Sequence, residues 1–188
     1  MKTHFYDTPL AYNGDALANH WSYKTFGLLG DSVVAFEGPC DVDLNHMVDL
    51  EDVLNDDVIY SNNMLHFIIE IFGITLQEGV LIQRLFTSIL QDRINTTKGQ
   101  LIARRHGDDL FVNDTKKLSV SICTISPTSI LIHAGLNVDS EGTPVETAGL
   151  KSELDIDDIP AFAESCMRTL AQEWQDTQRA TCKVRAVQ

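Results

Sequence analysis

Apolar and polar positions along the chain fall into two kinds of segment. Some are short runs that are apolar at nearly every position: Asp31–Phe36 (DSVVAF), Met64–Phe72 (MLHFIIEIF) and Ser129–Val138 (SILIHAGLNV). The first and last read as strands; Met64–Phe72 is short enough to be a buried strand or a helix, and the strand reading is taken. The others have a helical period. Over residues 77–94, Leu81, Ile82, Leu85, Phe86, Ile89 and Leu90 recur three and four apart, with Gln83, Arg84, Ser88 and Asp92 opposite. The spacing predicts a core-facing helix that frays at Asn95-Thr96-Thr97. A second helix is predicted from Asp158, with Pro160 in its first turn and Phe162, Cys166, Met167, Leu170 and Trp174 as its buried stripe.

Weaker signals predict a short strand over residues 4–12 and a short helix over Gly14–Phe26 carrying Trp21 and Tyr23. The Asp31 strand is expected to stop at a Gly38-Pro39 loop, and Cys182–Val187 to close the chain as an edge strand. An acidic segment, Asp41–Asp57, leads into Val58-Ile59-Tyr60. Strands outnumber helices and are joined mostly by turns. The expected class is therefore α+β, a mixed, largely antiparallel sheet with helices against one face. No repeat, low-complexity tract or linker divides the chain, so residues 1–188 are read as one domain.

The hairpin GDDLFVNDTKKLSVSIC (Gly107–Cys123) raises a chemical question. If its second arm alternates regularly, Leu118, Val120 and Ile122 face one side and Lys117, Ser119, Ser121 and Cys123 the other. Two serines and a cysteine beneath one lysine leave room for a ligand, and an ammonium there suits negative charge developing on an acyl or phosphoryl oxygen. A surface lysine beside a turn gives the same pattern, and both readings stay open.

Charge narrows the partners. The chain has 14 Lys plus Arg against 27 Asp plus Glu, a formal charge of -13, which disfavours nucleic acid and anionic membrane surfaces. Lys98, Arg104, Arg105, Lys116 and Lys117 nevertheless crowd into twenty positions. They suit either a carboxylate or phosphate ligand or pairing with the abundant Asp and Glu. The four cysteines form no CxxC pair, and no apolar leader or membrane-spanning run is visible, so a cytoplasmic protein with free thiols is expected.

Asp41–Asp52 imitates a calcium loop, but His46 stands where the sharp turn wants glycine, and Gly38-Pro39 precludes a preceding helix. The histidines have no metal-ligand spacing, so no metal site is assigned. Cys40 and Cys123 are read either as thiol nucleophiles or as small apolar fillers of the core. Cys123 would lie about 20 Å along a straight strand from Lys117, which leaves Cys40 the better placed.

These segments together resemble the biotin and lipoate protein ligases and octanoyl transferases, a class II synthetase-like superfamily. Its central hairpin has an Asn-Asp-apolar strand, a turn, then Lys-apolar-small-small. Asp108-Asp109-Leu110 and Lys117-Leu118-Ser119 match those positions. Ile130–Val138 is similar to the family's apolar-Gly-apolar-Asn-Val strand, and Gly38–Leu50 to the Gly-Pro loop and following Asp-Leu of octanoyl transferases. The whole chain also resembles a family known as a domain of unknown function, number 366. The resemblance implies a small-molecule carboxylate or acyl ligand, with Lys117 stabilising the acyl group and Gly38, Pro39, Cys40, Asp109, Ser119, Ser121, His133 and Asn137 around it. It implies an acyl-transfer or acyl-ligase-like enzyme, or a non-catalytic small-molecule-binding or regulatory module on the same fold. ATP and Mg²⁺ would be needed only by a ligase, and an acceptor protein or a homodimer would be compatible with it. Two positions depart from the pattern: Asp31 stands where ligases carry an arginine-rich loop, and Ala148 where one octanoyl transferase type carries its cysteine.

Overall fold

The computed structural model describes residues 1–55, 59–141 and 146–187; Asp56 and Asp57, which close the acidic segment, and Val58 after them lie outside these ranges. The main sheet uses the three apolar runs. β2 (Ser32–Val42), β3 (Ile59–Phe72) and β8 (Ser129–Asn137) are antiparallel neighbours, with β1 (Lys2–Tyr6) parallel to β2 on one edge and β7 (Ser119–Ile125) antiparallel to β8 on the other. A smaller sheet holds β4 (Ala103–His106), β5 (Asp109–Val112) and β6 (Lys116–Lys117). The α+β class and the largely antiparallel pairing are as expected.

Directly paired residues of antiparallel strands share a face, so the registers sort the side chains. Val33, Ala35, Leu65, Phe67, Ile69, Ile132, Ala134 and Leu136 face α3 (Leu76–Lys98) and α4 (Ile159–Cys182) in the larger core. Val34, Phe36, Met64 and Ile68 face the opposite side, where Tyr12, Ala16, Cys40 and Val42 complete a second core. Because both faces are covered, these strands lack polar alternation.

Several elements differ from expectation: the strand expected over residues 4–12 lies at Lys2–Tyr6. The first predicted helix shortens to α1 (Trp21–Phe26), because His20 and Gly27, both at positive φ, bracket it. α3 runs on past Thr97 to Lys98 and ends at a left-handed Gly99; a Thr75–Glu78 capping box, worth about 1 kcal/mol, starts it. The face of α3 is also rotated from prediction: Gln83 is buried and Leu81 is 61% exposed. Cys182 ends α4, and residues 183–187 form no strand. α4 is otherwise as predicted, with Asp158 Oδ1 accepting from Ala161 N at 3.0 Å.

The largest correction concerns Gly38-Pro39. The strand does not stop there; β2 continues to Val42, with a bulge between Gly38 and Cys40. Proline cannot donate to a ladder and is tolerated at a bulge. Residues 10–12 cross this point, with Leu10 N donating to Glu37 O and Tyr12 N to Pro39 O, both at 2.9 Å. A Cβ on Gly38 would lie 2.0 Å from Leu10 O. Glycine is required by that crossing chain, which carries Tyr12 over the sheet. Downstream, a short helix, α2 (Leu50–Asn55), follows the turn after β2, so no calcium-type helix–loop–helix forms.

Candidate functional site

A cavity of about 450 Å³ opens on the second face of the main sheet, beside edge strand β7. That size suits a single small-molecule ligand. Its floor is apolar: Met64, Val120 and Ile122, with Tyr12 over them. Residues 46–49 and 59–60 form one wall. Asp108, Asp109, Lys117, Ser119, Ser121, His133, Asn137 and Thr147 supply polar groups around it.

Of the predicted site residues, Lys117, Asp109, Ser119, Ser121, His133 and Asn137 thus meet at one cavity, whereas Gly38, Pro39 and Cys40 do not line it. The reason is the continuation of β2: Cys40 points into the second core, is fully buried, and its thiol is pushed up to about 12 by burial and then by the nearby Asp41 charge. Cys123 also lies off the cavity, its Sγ within 3.0 Å of where a Cβ of Gly79 would sit, and burial pushes its thiol up to about 11. Neither thiol is poised as a thiolate.

The expected face of Lys117, Ser119 and Ser121 is also revised. Leu118 is the hand-over point at which the chain leaves the small sheet and joins the main one, and regular alternation breaks there. Ser119 pairs with Leu136 and Ser121 with Ala134, on the helix-facing side. Their hydroxyls are engaged by the fold. Ser119 Oγ accepts from Leu110 N at 2.8 Å, and Ser121 Oγ accepts from Gln83 Nε2 at 3.0 Å and donates to His133 O at 3.1 Å. Val120 and Ile122, expected to face away, make the floor instead.

Lys117 is half-exposed at the rim, its Nζ 3.1 Å from Asp109 Oδ1. The other basic residues of the hairpin region pair locally: Lys98 with Asp155, Arg104 with Asp114 and Lys116 with Glu146, while Arg105 donates to Gly107 O. This is the charge-pairing reading of that basic cluster. Among the described residues Lys117 is the one Lys or Arg that lines the cavity, against the carboxylates of Asp49, Asp52, Asp108 and Asp109. Residues 147–150 run beside it: Thr147 bridges Lys117, and Ala148 N donates to Lys117 O at 3.0 Å, with Ala148 fully buried.

Sequence reasoning missed the cavity roles of Tyr12, Met64, Val120 and Ile122, and the partnership of two histidines. His66 Nδ1 is 3.1 Å from His133 Nε2, and His66 Nε2 is 3.2 Å from Gly38 O. Tyr12 stacks on His133 with ring centroids 3.9 Å apart and planes inclined by 15°. Burial lowers His66 to about 4 against the weaker opposing effect of Gly38 O, and burial with the neighbouring His66 lowers His133 well below the ordinary imidazole value. One signal was available in the sequence: MLHFIIEIF and ILIHAGL each carry a single histidine in an apolar run.

Asp31, the residue that departs from the ligase loop, is a structural tie. Its Oδ1 accepts from Phe72 N at 3.0 Å and its Oδ2 from Trp174 Nε1 at 2.9 Å, fastening β2 to β3 and α4. Among the described residues no group of three His, Cys, Asp or Glu side chains is placed to hold a metal ion, and no helix is long and apolar enough to cross a membrane.

A mixed sheet with two long helices on one face is also the fold of the biotin and lipoate protein ligases. The biotin protein ligase of Aquifex aeolicus, solved with biotin and ATP, superposes with a TM-score of 0.61 at 11% identity, covering 90% of this chain and 69% of that one. Within that fold class the chain belongs to the family described as domain of unknown function DUF366, whose model matches residues 1–185. An uncharacterized protein of Methanocaldococcus jannaschii is 35% identical over 185 residues, covering 95% of this chain and 82% of that one. A solved protein of unknown function from Pyrococcus horikoshi is 37% identical with a TM-score of 0.89, covering both chains completely.

Proposed function

We infer that this protein is a non-catalytic small-molecule-binding or regulatory module, residues 1–188 acting as one domain, that holds a small carboxylic acid or acyl ligand in the cavity. The observation that carries this reading is Lys117, the single lining ammonium among the described residues, held by Asp109 at the rim of an apolar-floored site. It would contact a carboxylate or acyl oxygen while Met64, Val120, Ile122 and Tyr12 cover an apolar body.

The residues present do not fit a nucleotide. A polyphosphate would meet four aspartates and one lysine already paired, and Asp31 is engaged in fastening strands to α4. No step through ATP or Mg²⁺ is therefore derived.

Acyl transfer from a thioester is the second reading, favoured by the match of Asp109 and Lys117 to the superfamily hairpin. Against a covalent intermediate stand Ala148 at the family's cysteine position and the protonated, buried Cys40.

Native mass spectrometry of untreated protein tests the first reading. A bound acid of discrete mass is expected, retained by Lys116→Met and lost or much weakened in Lys117→Met. The scale of one preorganised electrostatic contact is about 2 to 4 kcal/mol. Equal retention by both variants would remove Lys117 from the site, and consumption of an acyl thioester by the purified protein would promote the transferase reading.

A further inference from the structure

The cavity wall contains a polar atom whose role is fixed by the hydrogen bonds behind it. A backbone carbonyl can only accept, so the contact of His66 Nε2 with Gly38 O at 3.2 Å places a proton on Nε2. A neutral imidazole carries one N–H, which makes His66 Nδ1 an acceptor. The 3.1 Å contact to His133 Nε2 is then donated by His133. His133 is left with a bare lone pair on Nδ1.

That atom has no partner among the described residues, and it is absent from the fully enclosed unpartnered set of Ser22 Oγ, Ser32 Oγ and Arg93 Nε. The histidine is only 4% exposed and lines the cavity, so the opening at Nδ1 is toward the cavity. Tyr12 stacks on one face of the ring and holds its plane. We propose that His133 Nδ1 is a ligand subsite that accepts a hydrogen bond from an uncharged N–H or O–H group, with His66 as the positioning residue that fixes its tautomer.

The chemistry selects the ligand group. A carbonyl or carboxylate oxygen would set lone pair against lone pair, and the apolar neighbours Met64 and Ile122 make desolvating a charged group costly. A donor left out would leave a buried acceptor unpaired, the arrangement by which sites discriminate most sharply between analogues. Because burial keeps His133 neutral near pH 7, the atom serves as an acceptor and not as a proton carrier. The proposal rests on reading the cavity as a ligand site, but not on the role of Lys117.

Nitrogen-15 NMR of histidine-labelled protein tests it directly. In the free protein, Nδ1 of His133 is expected to be unprotonated and Nε2 protonated. Titration with acetamide, which donates N–H, should shift Nδ1 upfield with saturation, while N,N-dimethylacetamide, which has no donor, should leave it in place. In His66→Met, nothing fixes the ring, and the Nδ1–H tautomer should appear. A protonated Nδ1 in the free protein, or equal responses to the two amides including none, overturns the subsite. An unchanged tautomer in His66→Met removes His66 from its role. Neither probe carries a carboxylate, so failure here is distinguishable from failure of the Lys117 assignment.

Discussion

Acidification should destabilise the protein in a window set by its buried histidines. His66 is fully buried, stacked near Tyr12 and Phe36, and its proton affinity is lowered from 6.5 to about 4. A histidine whose folded value lies below its unfolded one contributes stability that is complete above the unfolded value. That contribution is lost as pH falls toward the folded value, because the unfolded chain binds the proton first. Each pH unit within the window removes about 1.4 kcal/mol per histidine, so between pH 6.5 and 4.5 His66 alone removes about 2 to 3 kcal/mol. His133, also lowered, adds in the same direction. Burial away from water is the main cause, and a second proton on His66 would in addition fall on Nδ1, against the N–H of His133. Asp43, Glu78 and Glu153, whose carboxyls are held below their ordinary values, lose their contributions only as pH falls further, through the carboxylate range. Urea denaturation followed by circular dichroism from pH 7.5 to 4.5 reads the effect, with His66→Met as the comparison. The variant should be less stable at neutral pH but show a flatter pH dependence. A wild-type stability that is level between pH 6.5 and 4.5 would refute the burial of His66 as a neutral imidazole.

Three further outcomes follow from individual residues. Gly38→Ala should lower stability by about 1 to 3 kcal/mol, measured by the same denaturation, because its Cβ would collide with Leu10 O and displace the segment carrying Tyr12. Thiol alkylation of the native protein, read by peptide mass spectrometry, should modify exposed Cys182 first and Cys123 slowly, with Cys40 and Cys166 reacting only on unfolding; rapid labelling of Cys40 would contradict its placement in the second core. Calorimetry with ATP and Mg²⁺ should give a dissociation constant weaker than about 1 mM, or about -4 kcal/mol, and tighter binding would reinstate the ligase reading.

Much of the architecture is legible in the chain itself. Strands buried on both faces must be apolar at consecutive positions, and DSVVAF, MLHFIIEIF and SILIHAGLNV are. The stripe of α4 and its Asp158–Pro160 start follow from helical spacing and capping chemistry. The hairpin read in GDDLFVNDTKKLSVSIC is also present, and it sets Asp109 and Lys117 3.1 Å apart across paired strands. These are local or repeating constraints, and a linear string records them well.

Contacts between distant segments were decided by tertiary structure. Gly38-Pro39 reads as a loop because both residues disfavour strands, yet a bulge and the crossing of residues 10–12 keep them in β2. That one continuation removes Cys40 from the cavity. The faces of Ser119 and Ser121 depend on the sheet exchange at Leu118, which alternation in a single strand cannot anticipate. His66 and His133 are sixty-seven residues apart and become partners only through the register of β3 on β8, where His66 pairs with Gly135 and Ile68 with His133. The sequence by itself determined which segments are buried and which carry polar chemistry, because burial and periodicity act residue by residue. Which polar groups meet, and which of their atoms remain turned to a ligand, was decided by strand register and chain crossing, where the hydrogen bonds of one segment are satisfied by another.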